Sequence, residues 1–391
     1  MSAFDTDVLV VGAGPAGSAF AAAAASAGRD VLLIDAAAHP RPKACAEYAS
    51  PRILEELRAI GLDDADWQAD ALPISGMRVI RGDDASDIRS HDAAGARPAW
   101  GLDRLAFDAL LADHAAARGA RYRERTSLRG LELDGAGITA TLRSPHGPER
   151  VRARWVIGAD GARSSTARLL GVDRPVRMPR RLGLVAHYEG IDALRDRGEM
   201  HVGPAGYIGL APLAHGRLNV GMALPLNGTR RSAEERFSAA IASIPAVADR
   251  LRGVRRLTPI RGAAPIGHRV ARAAGPGWLL VGDAAGFIDP FSGEGIFRAL
   301  RSARAAATAL AAGDRGVEDR YLAARRTAFA GKDALTWVVQ AMLAAQPLLG
   351  YALRRLDRRP ALADRFGSAL GDCRPASDAL APAYLLQLLR P

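Results

Sequence analysis

The chain has 391 residues, of which 49% are hydrophobic, and its formal net charge is +11. This length predicts two structural units, and the charge does not indicate nucleic-acid binding, because all but two of its basic residues are arginine, a usage typical of codon bias. An acidic N-terminus, no apolar run of about 20 residues, and only two cysteines, Cys45 and Cys373, predict a cytoplasmic protein without disulfides or a metal site.

The first elements form a βαβ unit. Alternation and length predict a strand from Asp7 to Val11, a tight turn, a helix from Ser18 to Ala27, and a second strand from Val31 to Asp35. Two parallel strands joined by one helix are typical of a Rossmann-type sheet.

The turn after the first strand carries a G-x-G-x-x-G motif, formed by Gly12, Gly14 and Gly17. The first glycine permits the turn, the second lets a pyrophosphate approach the backbone, and the third lets the helix pack closely. Asp35 ends the second strand, where an acid binds ribose hydroxyls. We therefore predict a dinucleotide site that includes Pro15 and Ala16.

The next elements alternate between two units. A helix is predicted at about Pro51 to Ile60, with Ser50 as its cap, and another from Leu102 to Arg118. The strand-like pieces between about Ala71 and Trp100 are assigned to a second sheet. A strand from Arg152 to Ile157 then leads into a second glycine segment, in which Asp160 is a candidate cofactor residue.

Residues from about Arg180 to Ala264 contain alternating runs typical of half-buried antiparallel strands. These strands should carry the substrate pocket, which we expect to be largely apolar. His187 and Tyr188 face opposite ways on a strand, so at most one of them lines it. His187 and Tyr207 are candidates, although a lone histidine is also a common structural residue.

A third glycine segment follows a predicted strand from Gly277 to Val281. Asp283 could bind the ribityl hydroxyls of a flavin or could cap a helix. Gly293, Gly295 and Ile296 begin a further helix whose backbone N–H groups could face the pyrimidine edge of the flavin. Three glycine segments in this order predict FAD rather than NAD alone.

From Ser292 onward the pattern is helical, with breaks at proline residues. The stretch from Asp333 to Leu353 is apolar and is followed by arginines, so it could be a membrane-surface helix or a helix packed on the core. Packing on the core is the simpler interpretation, which leaves weak membrane association open.

The predicted fold class is therefore α/β: a Rossmann-type FAD-binding domain interleaved with a mainly antiparallel β substrate domain, plus C-terminal helices. The FAD-binding domain comprises residues 1–70, 101–175 and 266–330; the substrate domain comprises 71–100 and 176–265; the helical region comprises 331–391.

The glycine segments resemble the flavoprotein superfamily of para-hydroxybenzoate-hydroxylase-type monooxygenases, flavin halogenases and geranylgeranyl reductases. The stretch Lys43-Ala44-Cys45-Ala46-Glu47 is similar to the K-x-C-G-E stretch of the geranylgeranyl-reductase-like branch. In that branch Lys43, Arg104 and Asp283 are implied to lie at the FAD, and Cys45 near flavin and substrate.

Two departures from the branch affect the predicted reaction. The Y-x-W-x-F-P sequence of prenyl reductases appears here as Tyr207-Ile208-Gly209-Leu210-Ala211-Pro212, without its tryptophan and phenylalanine. In the second glycine segment, Ala167 stands at the position where the branch has an arginine. The halogenase sequence W-x-W-x-I-P is absent.

Cys45 and Glu47 are the remaining catalytic candidates. Cys45 could equally be a small buried side chain. Glu47 should share a face with Cys45 on an extended segment, where it could act as an acid or orient the substrate, or it could be a solvated loop charge.

In this superfamily NADPH or NADH reduces the flavin, whose reduced ring either captures O₂ at C4a or returns hydride to a C=C bond. Since the prenyl-reductase pocket sequence is altered, we expect a monooxygenase that hydroxylates an apolar phenolic or polyketide-like small molecule. A geranylgeranyl-reductase-like C=C reductase is the alternative, and a non-catalytic flavin protein is a third. The oligomeric state is left open.

Overall fold

The computed structural model describes residues 4–191, 194, 196–228 and 231–390. Its strands in chain order are β1 (Thr6–Val11), β2 (Val31–Ile34), β3 (Tyr48–Ala49), β4 (Ala71–Ile74), β5 (Gly76–Arg81), β6 (Asp84–Ile88), β7 (His91–Asp92), β8 (Gly95–Ala96), β9 (Ala99–Leu102), β10 (Arg121–Arg123), β11 (Ser127–Leu133), β12 (Ile138–Ser144), β13 (Gly147–Gly158), β14 (Asp173–Arg174), β15 (Arg181–Glu189), β16 (Arg197–Gly203), β17 (Gly206–Leu213), β18 (Arg217–Pro225), β19 (Arg261–Ala263), β20 (Arg269–Val270), β21 (Ala274–Gly275) and β22 (Trp278–Leu280).

The helices in chain order are α1 (Pro15–Ser26), α2 (Ile53–Ala59), α3 (Asp64–Gln68), α4 (Arg104–Ala117), α5 (Ser165–Leu169), α6 (Ala233–Ala242), α7 (Pro245–Arg250), α8 (Gly295–Ala311), α9 (Val317–Ala344), α10 (Gln346–Asp357), α11 (Pro360–Leu370), α12 (Ser377–Leu380) and α13 (Pro382–Leu389). A short 3₁₀-helix spans Gly282–Ala285. In the part of the chain that the structure describes, every helix is too short or too polar to cross a membrane.

The first sheet has the order β10-β2-β1-β13-β12-β11, and β22 pairs with the last part of β13. Strands β10, β2, β1, β13 and β22 run parallel to one another, whereas β12 pairs antiparallel with the first part of β13. Val11 lies opposite Gly158, and Gly158 lies opposite Leu280, so the carboxyl ends of β1, β13 and β22 meet at one edge. All three glycine segments begin at this edge, where open α/β sheets bind their ligands.

The second sheet has seven strands in the order β19-β15-β18-β17-β16-β5-β6, antiparallel except between β16 and β5. This arrangement confirms the predicted α/β class with an antiparallel substrate sheet. One face of the sheet, which includes Leu184, Tyr188 and Leu210, packs under α6 and α7. The strand pattern did not predict these two helices.

The C-terminal helices pack on the other face of this sheet. Leu335, Val339 and Leu343 of α9 join the hydrophobic cluster that includes Val79 and Met200 of the sheet. Thus α9 is a core-packed helix, as the simpler interpretation had it, and Trp337 on its outer side is 49% exposed. Helix α9 also continues across residue 331, where the sequence analysis began a separate region.

Three local predictions differ from the structure. Helix α1 begins at Pro15 rather than Ser18, because proline suits the first helical position. Helix α2 begins only at Ile53, since Pro51 and Arg52 form a turn, and Ser50 is not its cap. Strand β4 pairs with β9 and not with the substrate sheet.

Candidate cofactor site and active site

The first glycine segment forms a turn that excludes larger side chains. Gly12 has φ of +102°, and a Cβ there would lie 2.6 Å from the carbonyl oxygen of Ala159. A Cβ at Gly17 would lie 1.8 Å from the carbonyl oxygen of Gly12. Both positions therefore require glycine, and the first and second glycine segments are in direct contact.

Asp35 supports this turn from the end of β2. Its Oδ2 accepts a hydrogen bond of 2.8 Å from the N–H of Ala13, and its Oδ1 accepts one of 2.9 Å from the N–H of Ala37. Arg41 lies 3.3 Å from the same carboxylate and is the nearest group to a Cβ built at Gly14, at 3.7 Å. Sequence analysis missed Arg41, because only the folded loop brings it over the turn.

These residues fit the pyrophosphate of a dinucleotide. Helix α1 starts with Gly14 as its cap and Pro15 in its first turn, and among the described residues no side chain caps it. Its N-terminal N–H groups and the guanidinium of Arg41 thus present positive charge at one place, where phosphate oxygens bind. Ala16, in the same turn, would contact a Cβ built at Gly282, at 2.8 Å.

Asp283 lies within the 3₁₀-helix after β22 and does not cap a helix. Its carboxylate is 24% exposed and lies 4.0 Å from the amino group of Lys43, which is 39% exposed. The structure therefore brings together Lys43 and Asp283, two candidate cofactor residues that lie far apart in the sequence. A carboxylate that remains partly open can accept hydrogen bonds from ligand hydroxyls, as the flavin interpretation requires.

A helix begins shortly after the third glycine segment, as predicted. Helix α8 starts at Gly295, followed by the buried Ile296, and Glu294 is its cap residue. Gly293 has φ of +70°, and a Cβ there would lie 2.3 Å from Cδ1 of Tyr48. The start of α8 therefore packs against the segment after Glu47, and the contact of its N–H groups with the flavin stays a prediction.

Asp160 holds the second glycine segment together. Its carboxylate accepts hydrogen bonds from the hydroxyl of Ser164 at 2.6 Å and from the N–H of Thr166 at 2.9 Å. It thus orders the turn that contacts Gly12, and a direct contact with the cofactor stays a prediction.

Glu47 and His187 are brought together by the fold. Nε2 of His187 lies 2.6 Å from Oε2 of Glu47, and Nδ2 of Asn219 donates to the same oxygen at 2.9 Å. Glu47 is only 3% exposed, so it is not a solvated loop charge. Asn219 was not predicted, although strand alternation places it on the same face as Gly221.

Cys45 lies next to this pair. The backbone has φ of +56° at Glu47, so the segment is not extended there, and the N–H of Glu47 points to Sγ of Cys45 at 3.4 Å. Cys45 is a free, partly exposed thiol and not a fully buried side chain. Its proximity to Glu47 follows from this turn rather than from strand alternation.

Arg104 connects Cys45 to the buried acid Asp108. Its guanidinium donates to both carboxylate oxygens of Asp108, at 2.7 and 2.8 Å, and to Sγ of Cys45 at 3.2 Å. Burial disfavours the charge, but the Asp108 carboxylate outweighs it and raises the pKa of Arg104. Asp108 was missed, although its i,i+4 spacing from Arg104 was a usable signal. The FAD contact that the resemblance implies for Arg104 stays a prediction.

Tyr207 lies apart from these candidates. Its hydroxyl donates to Oδ1 of Asp289 at 2.6 Å, and its ring packs edge-on against Phe291, with 5.1 Å between centroids. Burial and the Asp289 carboxylate raise the pKa of Tyr207 well above its ordinary value, so the hydroxyl keeps its proton. The structure thus connects Tyr207 to the loop before α8 rather than to Glu47.

A cavity of about 860 Å³, open to solvent, lies between the substrate sheet and the segments just described. Ala46, Tyr48 and Gly293 form its cofactor-side wall, and Gly209 and Met200 form part of its sheet-side wall. Small residues on the sheet make room for a ligand there.

The charged groups that line this cavity have partners within the protein. Arg97 donates to Asp92 at 2.5 Å, and Glu199 accepts from Arg250 at 2.5 Å. Despite burial, His201 and Arg250 lower the pKa of Glu199, so this carboxylate is ionised and neutralised. The cavity therefore presents a mostly apolar wall.

A second buried ionic cluster lies behind the start of α8. Nζ of Lys332 is 2.8 Å from Oε1 of Glu294 and 3.1 Å from Oδ1 of Asp372. Burial raises the pKa of Glu294 to about 7, and it also raises that of Asp372, while Lys332 opposes both shifts. Sequence analysis missed this cluster, although the chain has only two lysines and both lie near the predicted cofactor site.

Comparison with known proteins gives one family. Residues 5–328 match the FAD binding domain family. Digeranylgeranylglycerophospholipid reductase of Methanosarcina acetivorans is 31% identical over 335 residues, which cover 80% of this chain and 77% of the relative. Menaquinone reductase of Mycolicibacterium smegmatis is 33% identical over 339 residues, covering 80% and 78%.

Solved structures show the same architecture. A flavoprotein/dehydrogenase from Cytophaga hutchinsonii superposes with a TM-score of 0.83 at 24% identity, covering 93% of this chain and 92% of that one. A geranylgeranyl bacteriochlorophyll reductase-like protein from Thermoplasma acidophilum gives a TM-score of 0.78 at 25% identity, covering 98% of each chain.

Proposed function

The chain belongs to the FAD binding domain family of flavoprotein oxidoreductases, and from this membership we propose that it reduces carbon–carbon double bonds in an isoprenoid chain. One observation carries the proposal. The cofactor-side residues Ala46, Tyr48 and Gly293 line a cavity whose wall is mostly apolar and whose charged groups are already paired. A hydrocarbon can bind beside the cofactor in such a cavity without leaving a polar group unsatisfied.

Reduction of a C=C bond adds a hydride to one carbon and a proton to the other. FAD, when bound and already reduced by an external two-electron donor, would supply the hydride. The protein's part is to bind and orient the chain, exclude water and hold the proton.

The Glu47 and His187 pair is suited to hold that proton. Oε2 of Glu47 and Nε2 of His187 are 2.6 Å apart, a distance at which the two side chains form a hydrogen bond. Asn219 holds the carboxylate in place, and the neighbours of Glu47 in sequence, Ala46 and Tyr48, line the cavity. The pair thus lies next to residues that line the cavity.

This proposal replaces the hydroxylase that the sequence analysis favoured. A phenolate substrate would need a free cation in the cavity, whereas its lining arginine, Arg97, is bound to Asp92. The names of the relatives above, reductases of an isoprenoid lipid and of a quinone, also favour reduction. NADH or NADPH as the electron donor stays a prediction.

Anaerobic mixing tests the proposed reaction. The FAD-loaded protein is reduced with dithionite under argon and mixed with geranylgeraniol or with a simple phenol, and the flavin absorbance is followed. The proposal expects geranylgeraniol, but not the phenol, to reoxidise the flavin without oxygen. Reoxidation that needs both O₂ and the phenol would instead establish a hydroxylase.

A further inference from the structure

A second cavity lies beneath the C-terminal helices. Its empty space, which includes space open to solvent, is about 470 Å³, and it lies between α9, α10, α11 and α13 on one side and β5 and β6 on the other. Among the described residues that line it, Tyr384 is the only one whose side chain bears oxygen or nitrogen, and its hydroxyl donates to the carbonyl of Leu362 at 3.0 Å. The wall therefore offers nothing to a polar ligand.

The second cavity adjoins the first. Val79, Ile88 and Phe291 line both of them. The backbone N–H of Phe291 donates to Oδ1 of Asp289 at 3.0 Å, and the ring packs against Tyr207. Phe291 thus lies at the boundary between the first cavity and the second.

We propose that the second cavity is a subsite for the distal hydrocarbon of the substrate and that Phe291 separates it from the reacting end. This inference rests on the proposed function, since it assumes an extended apolar substrate in the first cavity. Burial of successive methylene and methyl groups in a wall without polar groups would make affinity increase with chain length.

The subsite is built by this chain's own C-terminal helices. The family match ends at residue 328, whereas Met342, Leu349 and Leu353 lie well beyond it. The apolar faces of α9 and α10 thus have a role in substrate length selection in addition to packing on the sheet.

Photolabelling locates the distal end of a bound chain without requiring turnover. Geranylgeraniol carrying a diazirine at its terminal isoprene unit is bound to the full-length, FAD-loaded protein, irradiated and mapped by mass spectrometry. The proposal expects label on the peptides that contain Met342, Leu349 or Leu353. Label confined to the first cavity, at Ala46 or Met77, or label spread over the surface, would overturn it.

A pair of matched variants gives a second test. Ala352 lines the second cavity, whereas Ala341 is exposed on α9. We expect Ala352→Trp to weaken geranylgeraniol binding about tenfold or more and to leave binding of the short alcohol geraniol unchanged. Ala341→Trp should change neither affinity. Equal loss for both alcohols in Ala352→Trp, or no loss for either, would contradict the subsite.

These results are separable from the proposed reaction. Label on α9 and α10 without any reduction of geranylgeraniol would refute the reductase and keep the hydrocarbon subsite. Reduction of geranylgeraniol with label elsewhere would keep the reductase and refute the subsite.

Discussion

Two buried carboxylate clusters, one at Glu47 and the other at Glu294 and Asp372, differ mainly in their access to solvent. In the first, Glu47 faces His187, whose side chain is 19% exposed. In the second, Glu294 and Asp372 face Lys332, and the three side chains are only 4–7% exposed. One cluster thus has a route for protons, and the other is sealed.

This difference assigns different roles to similar residues. A carboxylate whose partner reaches solvent can gain and lose a proton during turnover. A carboxylate pair that shares one buried lysine instead fixes the position of its elements, here the start of α8, the middle of α9 and the turn after α11. The clusters therefore predict chemistry at Glu47 and stability at Lys332.

Removing the buried lysine should have the largest effect. Lys332→Met removes the nearest cation from two buried carboxyl groups, so that Glu294 keeps only Arg298, at 3.8 Å, and it frees the carbonyls of Ala369 and Leu370, to which Lys332 donates. We expect a loss of about 3 kcal/mol in the free energy of unfolding, measured with urea. The exposed Arg326 on the same helix provides the control, Arg326→Met, which should change stability by about 0.5 kcal/mol or less. Equal effects would contradict the role of the cluster.

Glu47→Gln should instead affect turnover. The amide keeps the size of the side chain but cannot take up and release a proton as a carboxyl group does. We therefore expect an approximately hundredfold slower reoxidation of the reduced flavin by geranylgeraniol. Folding and FAD content should stay near those of the wild type. Glu189→Gln is the control, because Glu189 ends β15, the strand of His187, and its side chain is 47% exposed. A wild-type rate for Glu47→Gln would remove this pair from the reaction.

The sealed cluster should also make stability depend on pH. The folded-state pKa of Glu294 is raised from 4.5 to about 7, so between these values the folded protein binds more protons than the unfolded chain. The free energy of unfolding should therefore fall as pH rises through this window. Glu294→Gln should reduce this slope. It should lower the free energy of unfolding by less than Lys332→Met does, because Asp372 keeps its cation. An unchanged slope in urea titrations would refute the assignment.

Substitution of Cys45 should have the smallest effects. Cys45→Ser keeps an acceptor for Arg104, and we expect turnover to fall by about threefold or less. Cys45→Ala removes the acceptor of that Arg104 N–H group and should lower the free energy of unfolding by about 1 kcal/mol. A much larger loss of turnover in the serine variant would make the thiol itself part of the chemistry.

Local patterns were sufficient to predict the turn at the first glycine segment. Gly12, Gly17 and Asp35 lie close together in sequence, so strand and turn rules predicted both the turn and the acid beside it. The start of α8 at Gly295 was predicted in the same way. Such features depend on backbone conformation within a few residues.

Contacts between distant elements could not be predicted in this way. Asn219 meets Glu47 only because β18 passes beneath the loop after β2, and Asp372 meets Lys332 only because α11 folds back on α9. The hydroxyl of Tyr207 binds Asp289, which lies 82 residues away in sequence, so this pairing could not be predicted from the strand pattern. Pairings of this kind are set by packing.

The mass of the product formed without oxygen tests the central claim most directly. Geranylgeraniol is incubated under argon with the FAD-loaded protein and excess dithionite, and the extract is analysed by mass spectrometry. The account predicts products about 2 mass units heavier for each reduced bond. Unchanged geranylgeraniol under argon, together with a phenol product about 16 mass units heavier in air, would contradict it.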